Sequence, residues 1–399
     1  MGWSEVEQAF TEAVQREVIP GATIVVRQGG EVAFEGAFGY RALQPERAPT
    51  RLETVFDLSS LTKPLATTIA IMMLVRDAKL RLDERVTRFF HNFGVHGKSH
   101  VTFRQLLAHC SGLAAWRPYY QQIATVEKSG KVNFMASRGA KEFVYDEIHR
   151  ERPEYQPGSK TLYSDLNFML LGEVVEQVTG VVLNRFCRDK VFRPLELRAT
   201  DFIDISQNRT RRLEPVREMF APTSFCSWRG RWLSGEVDDE NAYAMGGVAG
   251  HAGMFASVHE VDHLVHELLR CYGGKSDLLP QQIVREFWSR DKTVASSTWA
   301  LGWDMPSAEN SSAGRHFSPA AVGHLGFTGT SIWVEPEKEI VVSLLTNRVH
   351  PRRDNEAIRE LRPRIHDLVM QALGQAADAQ QLKADPEPTK SGSESSGDA

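Results

Sequence analysis

Several protein classes are disfavoured by what this sequence lacks. Its four cysteines, Cys110, Cys187, Cys226 and Cys271, are far apart and include no CxxC pair. They therefore indicate neither a disulfide framework nor a zinc knot, and they fit a reducing compartment. The net charge is −4 and no basic run stands out, which argues against a nucleic-acid partner. The apolar run 65–75 is too short and too interrupted to span a membrane.

The first residues also show no secretory signal. The segment MGWSEVEQAFTEAV has the spacing of an amphipathic helix, without a basic stretch followed by an apolar one. With 42% apolar and 25% charged residues, the 399-residue chain has an ordinary globular composition and is long enough for two domains or one large one. We therefore expect a globular cytoplasmic protein without a membrane partner.

Strand patterns occur near both ends of the chain, and helical patterns occur between them. Alternating apolar runs surround Gly29-Gly30, and TSIWVEPEKEIVVSLLTN contains two β-rich runs, so each segment predicts a hairpin. Residues 3–18 and 355–374 are typical of helices, and residues 83–234 are mostly helical with long polar connections. This order predicts an α+β fold, in which helices flank an antiparallel sheet built from both ends of the chain.

We accordingly divide the chain into three parts. Residues 1–82 and 235–375 are predicted to form a discontinuous α/β sandwich domain, with residues 83–234 as an inserted, mostly helical domain. The segment 376–399 is polar and rich in proline, serine and glycine, which predicts disorder.

The segment HEVDH, residues 259–263, is the strongest signal for a metal. It matches HExxH, in which two histidines one helical turn apart bind zinc and the glutamate is the base. At about 100° per residue, however, the histidines fall beside Arg270 and opposite an apolar stripe. That stripe consists of Val261, Leu264, Val265, Leu268 and Leu269. No third ligand follows at the expected spacing, so we predict a solvated helix face and no metal site, with a zinc peptidase as the alternative.

Nucleotide binding and α/β-hydrolase chemistry are also disfavoured. GKS at 97–99 and GGKS at 273–276 lack the earlier glycine of a phosphate loop, and neither follows a strand. The glycine-dense GGVAGHAG, residues 246–253, has no lysine and predicts close backbone packing. The GxSxG nucleophile elbow is absent. We therefore expect no cofactor.

A hydroxyl and an amine lie three residues apart at the start of the apolar segment DLSSLTKPLATTIAIMMLV, residues 57–75. Ser60 and Lys63 therefore share one helix face, where N–H groups of the first turn can stabilise an oxyanion. Burial is expected to lower the pKa of Lys63 toward neutrality, so that it can act as a base. The alternative interpretation of this pair is structural: Ser60 would cap the helix, and the side chain of Lys63 would extend to solvent. A second Ser-x-x-Lys, Ser289 and Lys292, lies in charged sequence without an apolar helix, and we discard it.

Three further segments accompany this motif. LLAHCSGL occupies 106–113, YQPGSKTLYSDLNFMLLG occupies 155–172, and GHLGFTGTSIWVEPEKEIVVSLLTN occupies 323–347. Together with SSLTK they resemble the serine β-lactamase and penicillin-binding protein superfamily. The resemblance is greatest to its class C-like branch, which includes family VIII esterases and D-stereospecific peptidases. It extends over about residues 5–370 and implies a β-lactamase/transpeptidase-like fold.

The resemblance also implies roles for individual residues. Ser60 would be the nucleophile that forms an acyl-enzyme, and Lys63 would take or relay its proton. Tyr163 would act as base in acylation and as acid toward the leaving group. The oxyanion hole would consist of the backbone N–H groups of Ser60 and Phe327. The implied substrate-binding residues are Asp165, His324, Gly326 and Asn347.

Two positions depart from the family pattern. Asp165 replaces the usual asparagine, so an amide donor to the substrate is lost, and His324 replaces a lysine, so a permanent cation becomes a titrating one. Both changes weaken recognition of anionic β-lactams and peptidoglycan stems. We therefore expect a serine hydrolase that acts on a small carboxylic ester. The alternatives are a β-lactamase, a D-aminopeptidase or DD-carboxypeptidase acting on an amide, and a non-catalytic member that only binds ligands.

Overall fold

The computed structural model describes residues 2–130, 133–211 and 217–384. Its α-helices are α1 (Gly2–Gln15), α2 (Ile69–Arg76), α3 (Phe103–Leu107), α4 (Tyr119–Lys128), α5 (Arg138–Arg150), α6 (Asp165–Thr179), α7 (Leu183–Cys187), α8 (Ile205–Arg211), α9 (Glu240–Ala244), α10 (Val258–Tyr272), α11 (Gln281–Phe287) and α12 (Ile358–Ala384). Its strands are β1 (Gly21–Gln28), β2 (Glu31–Ala42), β3 (Ala48–Pro49), β4 (Phe56–Asp57), β5 (Asp201–Phe202), β6 (Phe225–Cys226), β7 (Arg231–Trp232), β8 (Met254–Ala256), β9 (Val322–Leu325), β10 (Ser331–Glu335) and β11 (Ile340–Thr346).

Both ends of the chain contribute to a six-stranded antiparallel sheet, as predicted. The strand order is β3-β2-β1-β11-β10-β9, so β1 pairs with β11, and Ala22 lies opposite Thr346. The predicted hairpin turns are confirmed between β1 and β2 and between β10 and β11. Gly29 and Gly30 form the first turn with φ values of 57° and 92°, which glycine adopts without strain. Two smaller sheets have the orders β4-β8-β5 and β6-β7.

The two faces of the central sheet belong to different hydrophobic clusters. Successive side chains of a strand point to opposite faces. Ile24 of β1 and Val342 of β11 accordingly pack with Ile365 of α12 on one face. Val25 of β1 belongs instead to the larger cluster, which includes Leu264 of α10. Strands β10 and β9 complete the sheet at the edge opposite β3.

The apolar helix predicted to begin near Ser60 is a continuous helical segment of mixed geometry. A 3₁₀ turn (Ser59–Leu61) leads into a π-helical stretch (Lys63–Thr68) and then into α2. Pro64 is tolerated at the start of the π-helical stretch, because the N–H that it lacks would have no partner there. The segment is buried on nearly all sides, so that Lys63 is fully enclosed.

The end of the chain differs from the prediction. Helix α12 continues to Ala384 instead of ending near 374, so the first part of the segment predicted to be disordered is helical. Its sequence GQAADAQQLKA is polar but rich in alanine and glutamine, which favour helix. Residues 385–399 lie outside the described residues.

The division into two domains remains a prediction, because one cluster of buried side chains includes Leu65, Phe103 and Leu264 from both predicted parts. No single helix in the described ranges is long and apolar enough to cross a membrane. Helix α6 and the helical segment Leu183–Phe192 reach that length only together, and they are bent by 71° at the break between them.

Candidate active site

Ser60 and Lys63 are neighbours on the helical segment that precedes α2. The Nζ atom of Lys63 lies 3.0 Å from Oγ of Ser60. Ser59, the residue before the candidate nucleophile, has φ 49°, a left-handed conformation that is uncommon outside glycine. Such strained turns often occur at functional sites. The turn leaves Ser60 partly exposed to a cavity, while Lys63 is buried behind it.

Lys63 is surrounded by hydrogen-bond acceptors. Besides Ser60, its Nζ atom contacts the backbone oxygen of His251 at 3.0 Å and Oδ1 of Asp165 at 2.8 Å. Burial lowers the pKa of Lys63, but its electrostatic and hydrogen-bonding interactions with Asp165 and Tyr163 outweigh burial, and the net pKa is raised. The expectation of a pKa lowered toward neutrality is therefore wrong. That expectation was based on the apolar helix around Lys63 and did not include the Asp165 carboxylate, which contacts Lys63 from another segment.

Tyr163 reaches the same centre from the segment before α6. The Nζ atom of Lys63 lies 4.9 Å from the centre of its ring. Burial raises the pKa of Tyr163, and its hydrogen bonds with Lys63 and Ser60 only partly oppose this shift. The structure thus brings the hydroxyl, the amine and the phenol together from two distant segments, with the tyrosine in its phenol form at neutral pH.

The start of α6 is fixed by local hydrogen bonds, and this fixes Tyr163 and Asp165. Ser164 caps the helix by accepting a hydrogen bond from the N–H of Asn167, and its hydroxyl donates to the backbone oxygen of Ala114. The N–H of Ser164 donates to Nδ1 of His109 at 3.0 Å. His109 also packs on Tyr163, with ring centres 4.7 Å apart. The LLAHCSGL segment is therefore the support on which Tyr163 rests.

A cavity of about 440 Å³ opens beside Ser60 and Tyr163. Gly326 and Phe327 line it after β9, as the resemblance implied. The N–H of Phe327 donates to Oγ of Ser59 at 3.2 Å, so the predicted oxyanion-hole donor is already hydrogen-bonded in this structure. The Phe327 ring is half exposed and lies under the guanidinium of Arg348, 4.6 Å from it.

His324 lines this cavity but is not the titrating cation that was expected. Its Nδ1–H donates to the backbone oxygen of Leu325 at 2.8 Å, and Nε2 has no hydrogen-bond partner among the described residues. Burial and the nearby Lys63 ammonium lower the pKa of His324 to about 3. At neutral pH it is therefore an uncharged ring that presents an acceptor nitrogen.

Asn347 does not take the substrate-binding role implied by the resemblance. It is buried, and its amide Nδ2 donates to the backbone oxygens of Arg41 at 2.7 Å and Pro222 at 2.8 Å. Both amide hydrogens are thus committed to joining three chain segments, and neither is available to a substrate.

We expect Asn347→Ala to lower the free energy of unfolding by about 2–3 kcal/mol, because two buried carbonyl groups lose their donor. Chemical denaturation would measure this loss. The KM for an ester substrate should stay within about twofold of wild type, since a structural role leaves the cavity intact. If folded Asn347→Ala instead had a KM tenfold higher than wild type, Asn347 would contribute to substrate binding after all.

Other residues near the site were not predicted from the sequence. Trp299 lines the cavity and packs against both His109 and Tyr163, with ring centres 4.4 and 5.5 Å apart. Asp239 accepts a hydrogen bond from Nε2 of His251 at 3.0 Å and so supports the loop whose backbone oxygen contacts Lys63. The glycine-dense GGVAGHAG was the available signal for that loop, since it indicated close backbone packing.

The histidines of HEVDH face away from the core, as predicted. The apolar stripe of α10 is buried, and His259 is exposed and pairs with Glu35 at 3.0 Å. Among the described residues, the group with metal-type ligand atoms close together is Asp165, Asp239 and His251, within 4.8 Å of one another. The Lys63 ammonium already pairs with Asp165 there, so these residues surround a side-chain cation.

Comparison with known proteins identifies the family of this chain. The family model Beta-lactamase matches residues 6–364. The N-acetylmuramyl-L-alanine amidase of Bacillus subtilis (strain 168) is 30% identical over 362 residues, which cover 85% of this chain and 80% of the relative. A putative D-alanyl-D-alanine carboxypeptidase of Escherichia coli (strain K12) is 31% identical over 354 residues, which cover 83% and 79%.

Solved structures show the same fold. EstCE1, described as a hydrolase with promiscuous acyltransferase activity, superposes with a TM-score of 0.70 at 22% identity, covering 92% of this chain and 98% of that one. Simvastatin synthase (LovD) from Aspergillus terreus gives a TM-score of 0.69 at 20% identity, covering 93% and 98%. The chain belongs to the beta-lactamase family, a family of serine hydrolases that includes penicillin-binding protein-like members, and it has the β-lactamase/transpeptidase-like fold.

Proposed function

We propose that this protein hydrolyses a carboxylic ester through an acyl-enzyme on Ser60. One observation carries the proposal: the Ser60 hydroxyl, the Lys63 amine and the Tyr163 phenol meet beside one cavity that the Phe327 backbone also lines. A nucleophilic serine needs a partner that removes its hydroxyl proton, and the hydrogen bonds of this cluster supply a path along which that proton can leave. The same cluster can return a proton to the leaving group.

The oxyanion would be stabilised by the N–H groups of Ser60 and Phe327. The N–H of Phe327 now donates to Oγ of Ser59, and the substrate oxygen would replace that hydroxyl. Preorganised backbone donors of this kind stabilise charge that develops in the transition state. Water would then enter the cavity and release the acid.

An ester is favoured by the chemistry of the cavity wall. His324 is uncharged where the family has a lysine, so the cation that binds a substrate carboxylate is missing at this position. Asp165 pairs with Lys63 and supplies no amide donor. Trp299, Phe327 and Ile358 give the cavity apolar surface suited to a neutral acyl or alcohol group.

A second candidate is hydrolysis of an amide in a D-amino-acid or cell-wall peptide. The relatives from Bacillus subtilis and Escherichia coli are named for such amide substrates. In addition, Arg348, Arg359 and Arg362 line the cavity and would attract a carboxylate on the leaving group. Arg348 and Arg362 each donate three hydrogen bonds to backbone oxygens, which uses much of their hydrogen-bonding capacity.

The test combines covalent labelling with a substrate panel. We expect a fluorophosphonate probe to label Ser60 and mass spectrometry to locate the label. Ser289→Ala provides a matched control, because Ser289 belongs to the other Ser-x-x-Lys and its hydroxyl donates to the backbone oxygen of Arg285. That variant should be labelled like wild type. An unlabelled Ser60 in folded protein would contradict the proposal and favour a ligand-binding role.

The panel compares short p-nitrophenyl esters, nitrocefin, D-amino-acid amides and a muramyl peptide at equal concentrations. We expect kcat/KM to be highest for an ester. A higher value for a D-amino-acid amide or muramyl peptide would replace the ester assignment with the second candidate. A higher value for nitrocefin would indicate a β-lactamase.

A further inference from the structure

The Lys63 amine is enclosed by oxygen atoms. An ammonium group donates three hydrogen bonds. Nζ of Lys63 makes three contacts, with Oγ of Ser60, the backbone oxygen of His251 and Oδ1 of Asp165, and it also hydrogen-bonds with Tyr163. The contact with Asp165, 2.8 Å, is the shortest of the three. A carboxylate at this distance stabilises the charged amine. The resting site therefore contains a buried ion pair directly behind Ser60.

This arrangement leaves Ser60 without an obvious base. An ammonium cannot accept the Ser60 proton, and the raised pKa of Lys63 favours the ammonium. Tyr163 cannot accept it either while it is a phenol, and burial raises its pKa as well. The anion that contacts this cluster directly is the carboxylate of Asp165. It contacts Lys63, and Lys63 in turn contacts Ser60, so a proton from Ser60 can reach Asp165 only through Lys63.

We propose that Asp165 is the positioning residue that makes Lys63 a proton relay: Asp165 accepts a proton from Lys63 as Lys63 accepts the proton of Ser60. The inference rests on the proposed function and specifies how the nucleophile is activated. Asparagine, the usual residue of the family at this position, has no acidic oxygen that could hold that proton.

The protons balance through the acylation step. As the bond between Oγ of Ser60 and the carbonyl carbon forms, the π electrons move to the carbonyl oxygen. The Ser60 proton passes to Nζ of Lys63, and a Lys63 proton passes to Oδ1 of Asp165. When the tetrahedral intermediate collapses, the ester C–O bond breaks and the leaving oxygen takes the proton of Tyr163. The proton held by Asp165 returns through Lys63 to the Tyr163 phenolate, and the original charges are restored.

Other titratable groups face this cluster from several elements. Asp239 and His251 lie on the loop between α9 and β8, His109 follows α3, and His324 is on β9. Oδ1 of Asp239 accepts hydrogen bonds from the N–H of Ala242 and from Nε2 of His251, and the structure shows no direct contact between Asp239 and Nζ of Lys63 among the described residues. Burial lowers the pKa of both His109 and His324, which remain neutral through the range tested below.

The experiment measures the rate of fluorophosphonate labelling of Ser60 from pH 5.5 to 9. The relay gives wild type a proton acceptor that does not depend on deprotonation of Lys63 or Tyr163, so the wild-type rate should change by no more than about threefold between pH 6 and 8. In Asp165→Asn the acceptor must be the neutral amine of Lys63 or the phenolate of Tyr163, and each of these forms only at higher pH. Labelling of that variant should be slower by about tenfold or more at pH 6 and by less than about threefold at pH 9.

Two further variants separate charge from structure. Asp165→Glu retains a carboxylate and should retain the flat profile, whereas a profile like that of Asp165→Asn would count against the proposal. Asp77→Asn makes the same chemical change at an exposed site at the end of α2, where Asp77 pairs with Arg76, and should match wild type. If Asp165→Asn does not fold, the wild-type profile alone decides.

A wild-type rate that rises about tenfold per pH unit through pH 6–8 would overturn the relay. Coincident profiles of wild type and Asp165→Asn would also overturn it. Failure of the relay can be distinguished from failure of the proposed function. If the proposed function is wrong, Ser60 is not labelled at any pH.

Discussion

Ser60→Ala should lower kcat/KM for p-nitrophenyl butyrate by about 10⁴-fold or more, to the background of the assay. The substitution removes the atom that bonds to the acyl carbon, and neither Lys63 nor Tyr163 can replace it while both carry their protons. The adjacent hydroxyl, that of Ser59, accepts a hydrogen bond from the N–H of Phe327. Initial rates over a substrate series would measure the loss.

The effect should be confined to the chemistry. Ser60 is partly exposed to the cavity, so its loss should change the free energy of unfolding by no more than about 1 kcal/mol. Ser289→Ala is the matched control and should retain wild-type kcat/KM. Suppose that Ser60→Ala instead kept a tenth of the activity and that a chelator abolished this remainder. The alternative zinc peptidase, indicated by HEVDH, would then replace the serine hydrolase, and His259→Ala would be the inactive variant.

Gly250→Ala should destabilise the protein by about 3 kcal/mol, at the upper end for overpacking. A Cβ at this position would lie 2.0 Å from the backbone oxygen of Phe168 and 3.0 Å from Cα of Gly172, both on α6. Neither atom can rotate away, so α6 must move. Because α6 begins at Asp165 and the next residue after Gly250 is His251, the shift would separate Asp165 from His251, which both contact Lys63. Misplacement of this kind should lower kcat/KM by about 10²-fold.

Gly374→Ala gives the same change in the opposite environment. Nothing lies within 4 Å of a Cβ at Gly374 in α12, so alanine should raise the free energy of unfolding by about 0.5–1 kcal/mol through its better helix propensity. Thermal or chemical denaturation of both variants, with ester hydrolysis measured below the unfolding transition, would test the pair. A Gly250→Ala variant with unchanged stability would show that α6 and this loop are not in rigid contact.

Only part of the site was encoded locally. Ser60 and Lys63 lie one helical turn apart, so a short pattern identified them, whereas the role of Tyr163 came from the resemblance. The two hairpins were likewise visible from alternation around turn residues. The resemblance added what local patterns could not, namely that these segments meet in one cavity and that Phe327 follows the strand lining it.

The remaining features depend on contacts between distant segments. The ionisation of Lys63 is decided by Asp165, which is close in space but about a hundred positions away in the chain. The low pKa of His324 results from burial, which residue type alone does not reveal. Asn347 matched a segment near the family's substrate pocket, yet its amide is used by the backbone oxygens of Arg41 and Pro222. In each case the surroundings of the side chain in the folded protein, and not its residue type, determine what it can do.

The pairing of β1 with β11 has a consequence for biosynthesis. Ser59 and Phe327 are 268 positions apart, and the strand that positions Phe327 joins the sheet through β10 and β11. A ribosome must therefore release most of the polypeptide before the oxyanion pocket can form, and contacts of such large sequence separation form slowly. The nascent enzyme would remain inert during translation and become reactive only when its last strands dock.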